Sequence, residues 1–153
     1  MLAFLSLLAC FLSGSLAGID IDGFIVRFPA WRQLGAEAWA VYSRKADLGN
    51  GIFLYPALAV GHALLVVAIV IGLHYRGPAA ALPAAYVALA LAIFGLLLTV
   101  RAAPIMLSLK RSGDNPVVLR DAFKKFARLS LFRAVAQVLA FVATLQLLAH
   151  VST

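Results

Sequence analysis

Acidic side chains are scarce in this chain. Six Asp and Glu stand against thirteen Lys and Arg, and charged residues of all kinds make up only 12% of 153 positions. Soluble domains carry about 25% charged residues. With 64% hydrophobic residues and a mean hydropathy of +1.01, the chain holds more apolar surface than a water-soluble core of this size can hide. Lipid must solvate much of it. Cysteine is nearly absent too. Cys10 stands alone, which excludes an internal disulfide and a Cys-based metal site. Leu7-Leu8-Ala9-Cys10 has the outline of a lipoprotein cleavage box. Only nine residues precede the cysteine, however, and none is basic, whereas a signal peptide has a positive start and a longer run before the cut. Cys10 therefore reads as a small residue inside the first apolar stretch. Also missing are a Walker loop, a nucleophile elbow, a Glu-x-x-His di-iron pattern and a His-x-x-x-His zinc pattern.

The charge that is present is segregated. Twelve of the thirteen Lys and Arg lie in two windows, 27–45 and 101–133, and only Arg76 falls outside them. Four long apolar stretches run between and around these windows. An excess of Lys and Arg in alternate connections marks the cytoplasmic side of a multi-span protein. The net charge of +7 is then explained by residues flanking the spans beside an anionic cytoplasmic leaflet. Aromatic residues are not interleaved with the basic ones as in a binding strip, so nucleic acid is not an expected partner.

The first span covers about residues 2–27 and is expected to stop before Phe28-Pro29, because the residue preceding a proline disfavours helix. Such a helix, roughly 39 Å long, exceeds a hydrocarbon core of ~30 Å, so it tilts or protrudes. Segment 35–46 carries Trp39 and Tyr42 three residues apart and closes on Arg44 and Lys45. It reads as a short interfacial helix with aromatic and basic anchors, the alternative being a polar loop. The second span covers about 48–74. Tyr75-Arg76-Gly77-Pro78 is a breaker cluster, and Pro83 falls in the first turn of a third span covering about 80–109. Residues 110–115 form a loop, and Asn115-Pro116 reads as an N-cap followed by the first helical residue. The last helix begins amphipathic over 116–128, with Leu119, Ala122, Phe123 and Phe126 on one face and Arg120, Lys124, Lys125 and Arg128 elsewhere. It then spans the membrane over about 129–150. The expected fold is an all-α integral membrane protein, a single-domain four-transmembrane-helix bundle in a cell membrane of the bacterial inner-membrane type. Both termini would be extracytoplasmic. The sequence does not fix an oligomeric state. Gly14-x-x-x-Gly18 allows close helix approach, more naturally within the bundle than between copies.

Ionisable residues inside spans are costly and are candidate functional residues by default. His62 is the deepest. Asp20 and Asp22 lie in the cytoplasmic third of the first helix, Arg101 about two turns before the 110–115 loop, and Arg133 one turn before Gln137 on the last helix. Ser13, Asp20 and Arg27 are seven apart and share one helix face, as do Tyr55 and His62. Arg101 shares a stripe with Leu97, Phe94 and Tyr86. Four such stripes could converge on one cavity, where Asp20 and Asp22 neutralise Arg101 and Arg133; isolated charges there cost ~2.5–3.5 kcal/mol each. In that arrangement His62, Arg133, Arg101, Asp20 and Asp22 are the catalytic candidates, and Tyr55, Gln137, Phe94 and Tyr86 would line the substrate. The alternative is structural: the carboxylates sit at the interface and pair with Arg27 or Arg133, while Arg101 snorkels to the headgroups. His74 and His150, at matching depth near the outer surface, are the one pair able to ligate haem or a metal. With no carboxylate or cysteine beside them, no cofactor is expected.

Several of these local patterns go together. A small-residue first span (Gly14, Gly18) leads to Phe28-Pro29-Ala30-Trp31. The third span ends in Ala103-Pro104, and the basic last helix carries Phe126-x-x-x-Ser130-x-x-Arg133. In this the chain resembles the anthrone-oxygenase-like group of small four-span membrane proteins, over nearly its whole length. Members of that group often place Trp, Asn and Arg where this chain has Phe126, Ser130 and Arg133, and an Asn where it has Met106. The resemblance implies oxidation of a polycyclic aromatic substrate without an evident metal or flavin, in a lipid-accessible pocket for a flat hydrophobic molecule.

Three function classes are thereby in view. One is a membrane oxidoreductase or oxygenase-like enzyme acting on a hydrophobic aromatic or quinone-like molecule. There His62 would be the base, Arg101 and Arg133 would stabilise an oxyanion, and an Asp would orient them. The second is a non-catalytic module that binds a lipid or hydrophobic ligand, or a larger membrane partner. The third, a transporter, lacks a span broken by Gly or Pro in the membrane middle.

Overall fold

The structure is a computed structural model and describes residues 1–152. It is 89% helix, with no strand among the described residues. Four helical rods are long and apolar enough to cross a membrane: Leu2–Leu34, Gly51–Arg76, Ala79–Ser108 and Pro116–Ser152. The chain is thus a multi-pass membrane protein built as a helical bundle.

The first rod does not stop at Pro29. Helix α1 (Leu2–Asp22) passes into a wide π-turn, Gly23–Arg27, and on into α2 (Phe28–Leu34). Phe28 keeps helical dihedrals (φ −64°, ψ −42°) directly before the proline, and its N–H donates to the carbonyl of Gly23, five residues back. A proline ring clashes with the carbonyl four residues earlier in a regular helix. The wider turn shifts that carbonyl frame by one residue, and the helix continues where the sequence predicts an end. The rod breaks six residues later at Gly35, whose φ of +99° lies where a Cβ is strained. The sharp turn there feeds α3 (Ala36–Lys45).

Helix α3 forms where a short helix is expected, but Trp39 does not point outward as an anchor. It is fully buried, its ring 5.3 Å from that of Phe123 and 5.6 Å from that of Phe126. Arg44 is also more than a surface charge. Its guanidinium donates to the carbonyl of Leu109 at 2.9 Å, to Asp114 at 2.8 Å and to the carbonyl of Gly113, tying the two basic connections together.

Helix α4 is Gly51–Arg76. A 3₁₀ turn, Ala79–Ala81, leads into α5 (Leu82–Ser108), and α6 is Pro116–Ser152. The Asn115 side chain caps α6 as expected, accepting from the N–H groups of Val117 (3.1 Å) and Val118 (3.4 Å). At 1.5 Å per residue α6 is about 55 Å long, so its amphipathic first part projects beyond any ~30 Å span.

Each long rod packs against its neighbours in a closed ring, α1 on α4, α4 on α5, α5 on α6 and α6 on α1, an up-down-up-down bundle. The interior is made of small side chains: Ala9, Ala63, Ala85, Ala88, Ala136 and Ala140 are all at or below 9% exposure. Large apolar residues such as Phe4, Leu64 and Val100 are more than 60% exposed. This reversal suits a bundle whose solvent is lipid, since close backbone packing, rather than the hydrophobic effect, holds it together. Gly14 serves that packing, since a Cβ there would stand 3.1 Å from the Phe141 ring of α6. Gly18 has open space around it.

An aromatic cluster of Phe28, Trp31, Trp39, Phe123 and Phe126 closes the basic end of the bundle. An Ala, Val, Ile and Leu cluster closes the opposite end. A layer of buried polar side chains lies between, among them Ser13, Asp20, His62, Ser130 and Gln137.

Candidate functional site

Adjoining that polar layer, toward the basic end, is a cavity of about 260 Å³. All four rods contribute to it. Its walls are mostly apolar, with Leu16 and Ile19 from α1, Ile52 and Ala59 from α4, Ala102 and Met106 from α5 and Phe126 from α6. Trp31 and Phe28 close it at the basic end. Against this apolar lining stand Asp20, Arg27, Asp47, Tyr55, Arg133 and Gln137.

Asp20 and Arg133 form the centre of the polar wall. Asp20 is 8% exposed. The Arg133 Nη2 donates to its Oδ1 at 2.8 Å, and Nε donates to Oδ1 at 3.1 Å and Oδ2 at 3.3 Å. A forked guanidinium on a carboxylate is the strongest neutralising geometry available to two buried charges. It fixes the roll of α1 against α6.

Arg27 is placed by the π-turn. Its Nη2 donates to the carbonyl of Ile19 at 2.9 Å, and its Nε lies 2.7 Å from the Asp22 carboxylate. Its guanidinium lies 3.4 Å from where a Gly23 Cβ would be, so any larger residue at 23 would crowd it. Asp22 itself is exposed and reaches the site only through Arg27.

Asp47 lies in the connection between α3 and α4. Burial pushes its carboxyl above the ordinary carboxylate range, an effect partly offset by the Ser43 hydroxyl, by Arg27 and Arg133, and by the Tyr55 hydroxyl. It has no salt-bridge partner within 4 Å among the described residues. Nothing in the sequence singles it out, since it sits outside the spans, where a lone Asp looks like a loop residue. Its neighbour in sequence, the buried Ser43 one turn back on α3, gives no signal either. Only the fold of α3 onto α6 brings Asp47 to the cavity.

The four expected stripes do not all converge. Asp20, Tyr55, Arg133 and Gln137 line the cavity as a group. Arg101 does not: it is exposed, as are its stripe-mates Leu97 (57%), Phe94 (46%) and Tyr86 (48%). Helix α5 instead turns its small residues inward, Ala85, Ala88, Ala92, Gly95 and Ala102 being buried. That small-residue stripe was the readable signal for the inner face. It outweighs the polarity of one arginine near a helix end, which is free to snorkel.

His62 is buried (1% exposed) but is directed across the bundle to α6 and does not border the cavity. Its Nε2 lies 3.4 Å from the Thr144 Oγ1, and that hydroxyl donates to the carbonyl of Ala140 at 2.7 Å. With the hydroxyl hydrogen committed to Ala140, the contact requires the imidazole Nε2 to carry the hydrogen. The histidine expected as the base is therefore a bridge between α4 and α6.

At the far end of the bundle, His74 Nε2 and the Tyr86 hydroxyl are 2.6 Å apart. Tyr86 thus joins α4 to α5 there, well away from the cavity in which a substrate contact was expected. His150 Nδ1 contacts the carbonyl of Gln146 at 2.7 Å. No group of three or more His, Cys, Asp or Glu able to hold a metal occurs among the described residues.

Two side-chain oxygens at the cavity border have no hydrogen-bond partner among the described residues, the Gln137 Oε1 and the Ser130 Oγ. Gln137 is pressed against α5, its amide nitrogen 2.9 Å from where a Gly95 Cβ would be. Buried polar groups are normally paired. Both residues line the cavity.

Comparison with known protein families, with curated proteins and with solved structures finds no match to this chain.

Proposed function

We propose that the chain binds a flat, hydrophobic small molecule carrying polar oxygen atoms, of an aromatic or quinone-like class, in the cavity between its four rods. The observation that carries this reading is the pairing of an apolar cavity of about 260 Å³ with one polar wall made of Asp20, Arg27, Asp47, Tyr55 and Arg133. Apolar walls with a few convergent polar groups are the usual form of a small-molecule site. The bilayer supplies a route for such a ligand. In this reading the basic end faces the cytoplasm, both termini face outward, α3 lies along the interface, and the membrane is the cell membrane.

The test is a titration of the detergent-solubilised protein with naphthoquinone and anthraquinone probes, followed by probe absorbance. Saturable binding is expected. Ala103→Phe, at the rim of the cavity, should abolish it, and Arg101→Gln should leave it unchanged. Probe binding that Ala103→Phe does not alter would sink the reading.

A second reading, oxygenase-like chemistry as the anthrone-oxygenase resemblance implies, is favoured by one further feature: a carboxyl at Asp47 held above its ordinary range beside two guanidiniums and a phenol. Such a group matches a general base poised for an acidic C–H. Asp47 would take the proton from a ring CH₂ next to a ketone, and Arg27 or Arg133 would stabilise the enolate oxygen. Dioxygen would accept the four electrons, one of its atoms ending in the new carbonyl and the other in water. Loss of anthrone turnover in Asp47→Asn with binding intact supports this reading. Absence of turnover in the parent protein under air removes it and leaves the binding reading standing.

A further inference from the structure

A second concavity lies outside the bundle core, between α2 and the amphipathic start of α6. Four cations border it, Arg32 from α2 and Arg120, Lys124 and Arg128 from α6, and no carboxylate does. All four are exposed. None makes a salt bridge among the described residues, although Arg27, Arg44, Lys125 and Arg133 each have one. Arg120, Lys124 and Arg128 are spaced i, i+4, i+8 on a single helix face, a like-charge arrangement that destabilises an isolated helix. Among the described residues no salt bridge to these three cations offsets that repulsion.

The floor of the groove is apolar. Trp31 and Phe123 form its back wall, and Phe24 and Leu131 lie at one end. The two ends differ in a consistent direction. Along α6 the cations come first and Leu131 follows where the span begins. Along the first rod Arg32 is at the basic end and Phe24 lies two turns deeper. Phe24 (41%) and Leu131 (39%) are both partly exposed beside this floor. The groove therefore grades from cationic at the membrane surface to apolar within the bilayer, the polarity profile of a phospholipid.

We propose that the groove between α2 and α6 binds one anionic glycerophospholipid of the adjoining leaflet. Its phosphate is held among Arg32, Arg120, Lys124 and Arg128, and an acyl chain lies along Phe24 and Leu131. Guanidinium groups pair with phosphate oxygens in a fork, and cationic pockets between membrane helices match anionic headgroups. The groove shares its Trp31 wall with the four-rod cavity, but its four cations line the groove alone.

The test uses the full chain in phosphatidylcholine nanodiscs with a minor fraction of phosphatidylglycerol, acyl-brominated on one lipid or the other. The readout is quenching of tryptophan emission, since Trp31 borders the groove. Brominated phosphatidylglycerol should half-quench at a several-fold lower mole fraction than brominated phosphatidylcholine. Arg128→Gln or Arg32→Gln should each reduce that preference by about fivefold or to parity. The triple variant Arg120→Gln, Lys124→Gln, Arg128→Gln should abolish it, and Arg120→Lys with Arg128→Lys should largely keep it. Lys110→Gln with Arg111→Gln, in the loop away from the groove, should leave it intact. Equal quenching by both lipids overturns the proposal. So does a preference that survives the triple variant or is lost equally in the Lys110 and Arg111 variant. Displacement of the brominated lipid by millimolar glycerol phosphate would also overturn it, in favour of a soluble ligand.

Discussion

Asp20 is the residue on which the polar wall turns. It is buried, and its partner Arg133 reaches it from a helix 113 positions away in sequence. Removing either partner leaves the other as an uncompensated charge in a low-dielectric setting. Asp20→Asn or Arg133→Gln alone should each lose on the order of 3 kcal/mol of stability, and the double variant less than the sum. Thermal unfolding in detergent checks this, and additive losses would contradict a direct pair. Asp47 behaves in the opposite sense. Burial raises its carboxyl above the ordinary value of about 3.9, so the folded state holds the proton more tightly than the unfolded chain. The stability it contributes is full below that ordinary value and is lost as pH rises through the raised folded value. Asp47→Asn should therefore melt no lower than the parent at pH 7 and show a flatter pH profile above pH 4. A variant that melts lower at pH 7 and higher at pH 4 would contradict this.

The elements were far more legible in the sequence than their faces. Span number, the 110–115 loop and the Asn115 cap follow from hydropathy and turn chemistry. Each is a local property, and each appears in the structure. The facing of α5 was not legible from polarity, because a nearly uniform apolar helix has no polar side to read. Its Ala and Gly stripe carried the information instead. The site was half legible for the same reason. Asp20, Tyr55, Arg133 and Gln137 lie in spans and are conspicuous there, whereas Asp47 becomes a site residue only through the turn at Gly35 and the docking of α3 on α6. That turn can be tested. Gly35 has φ +99°, so Gly35→Ala should lose roughly 1 kcal/mol or more from backbone strain. It should also weaken probe binding by displacing Asp47, although Gly35 is not part of the cavity wall. Unchanged melting and unchanged binding would contradict both effects.

At the scale of the whole molecule, size is sorted opposite to the pattern of a soluble protein, with alanines inside and large apolar side chains outside. Substitutions should follow that inversion. Leu64→Ala, at 64% exposure, should change stability by less than about 0.5 kcal/mol. Ala88→Leu, at 0% exposure, should cost about 1–3 kcal/mol by forcing α5 away from its neighbours. Thermal melting of the two variants in one detergent decides it, and the reverse order would mean that the bundle is not packed through its small residues.

The wide turn at Gly23–Arg27 has a bearing on how the chain tolerates change in length. A π-turn holds one residue more than the α-turn it replaces. Deleting a single residue inside 23–27 would tighten that turn into regular helix and keep the rows facing the bundle on both sides, at the cost of the Pro29 ring clash that the wide turn relieves. A deletion within the regular helix of Leu2–Asp22 would instead rotate the parts on its two sides by about 100° relative to one another. Asp20 with Arg133 and Trp31 with its cluster could then not both keep their places alongside the residues before the deletion. The first rod thus carries one place where its length is adjustable, directly beside the cavity.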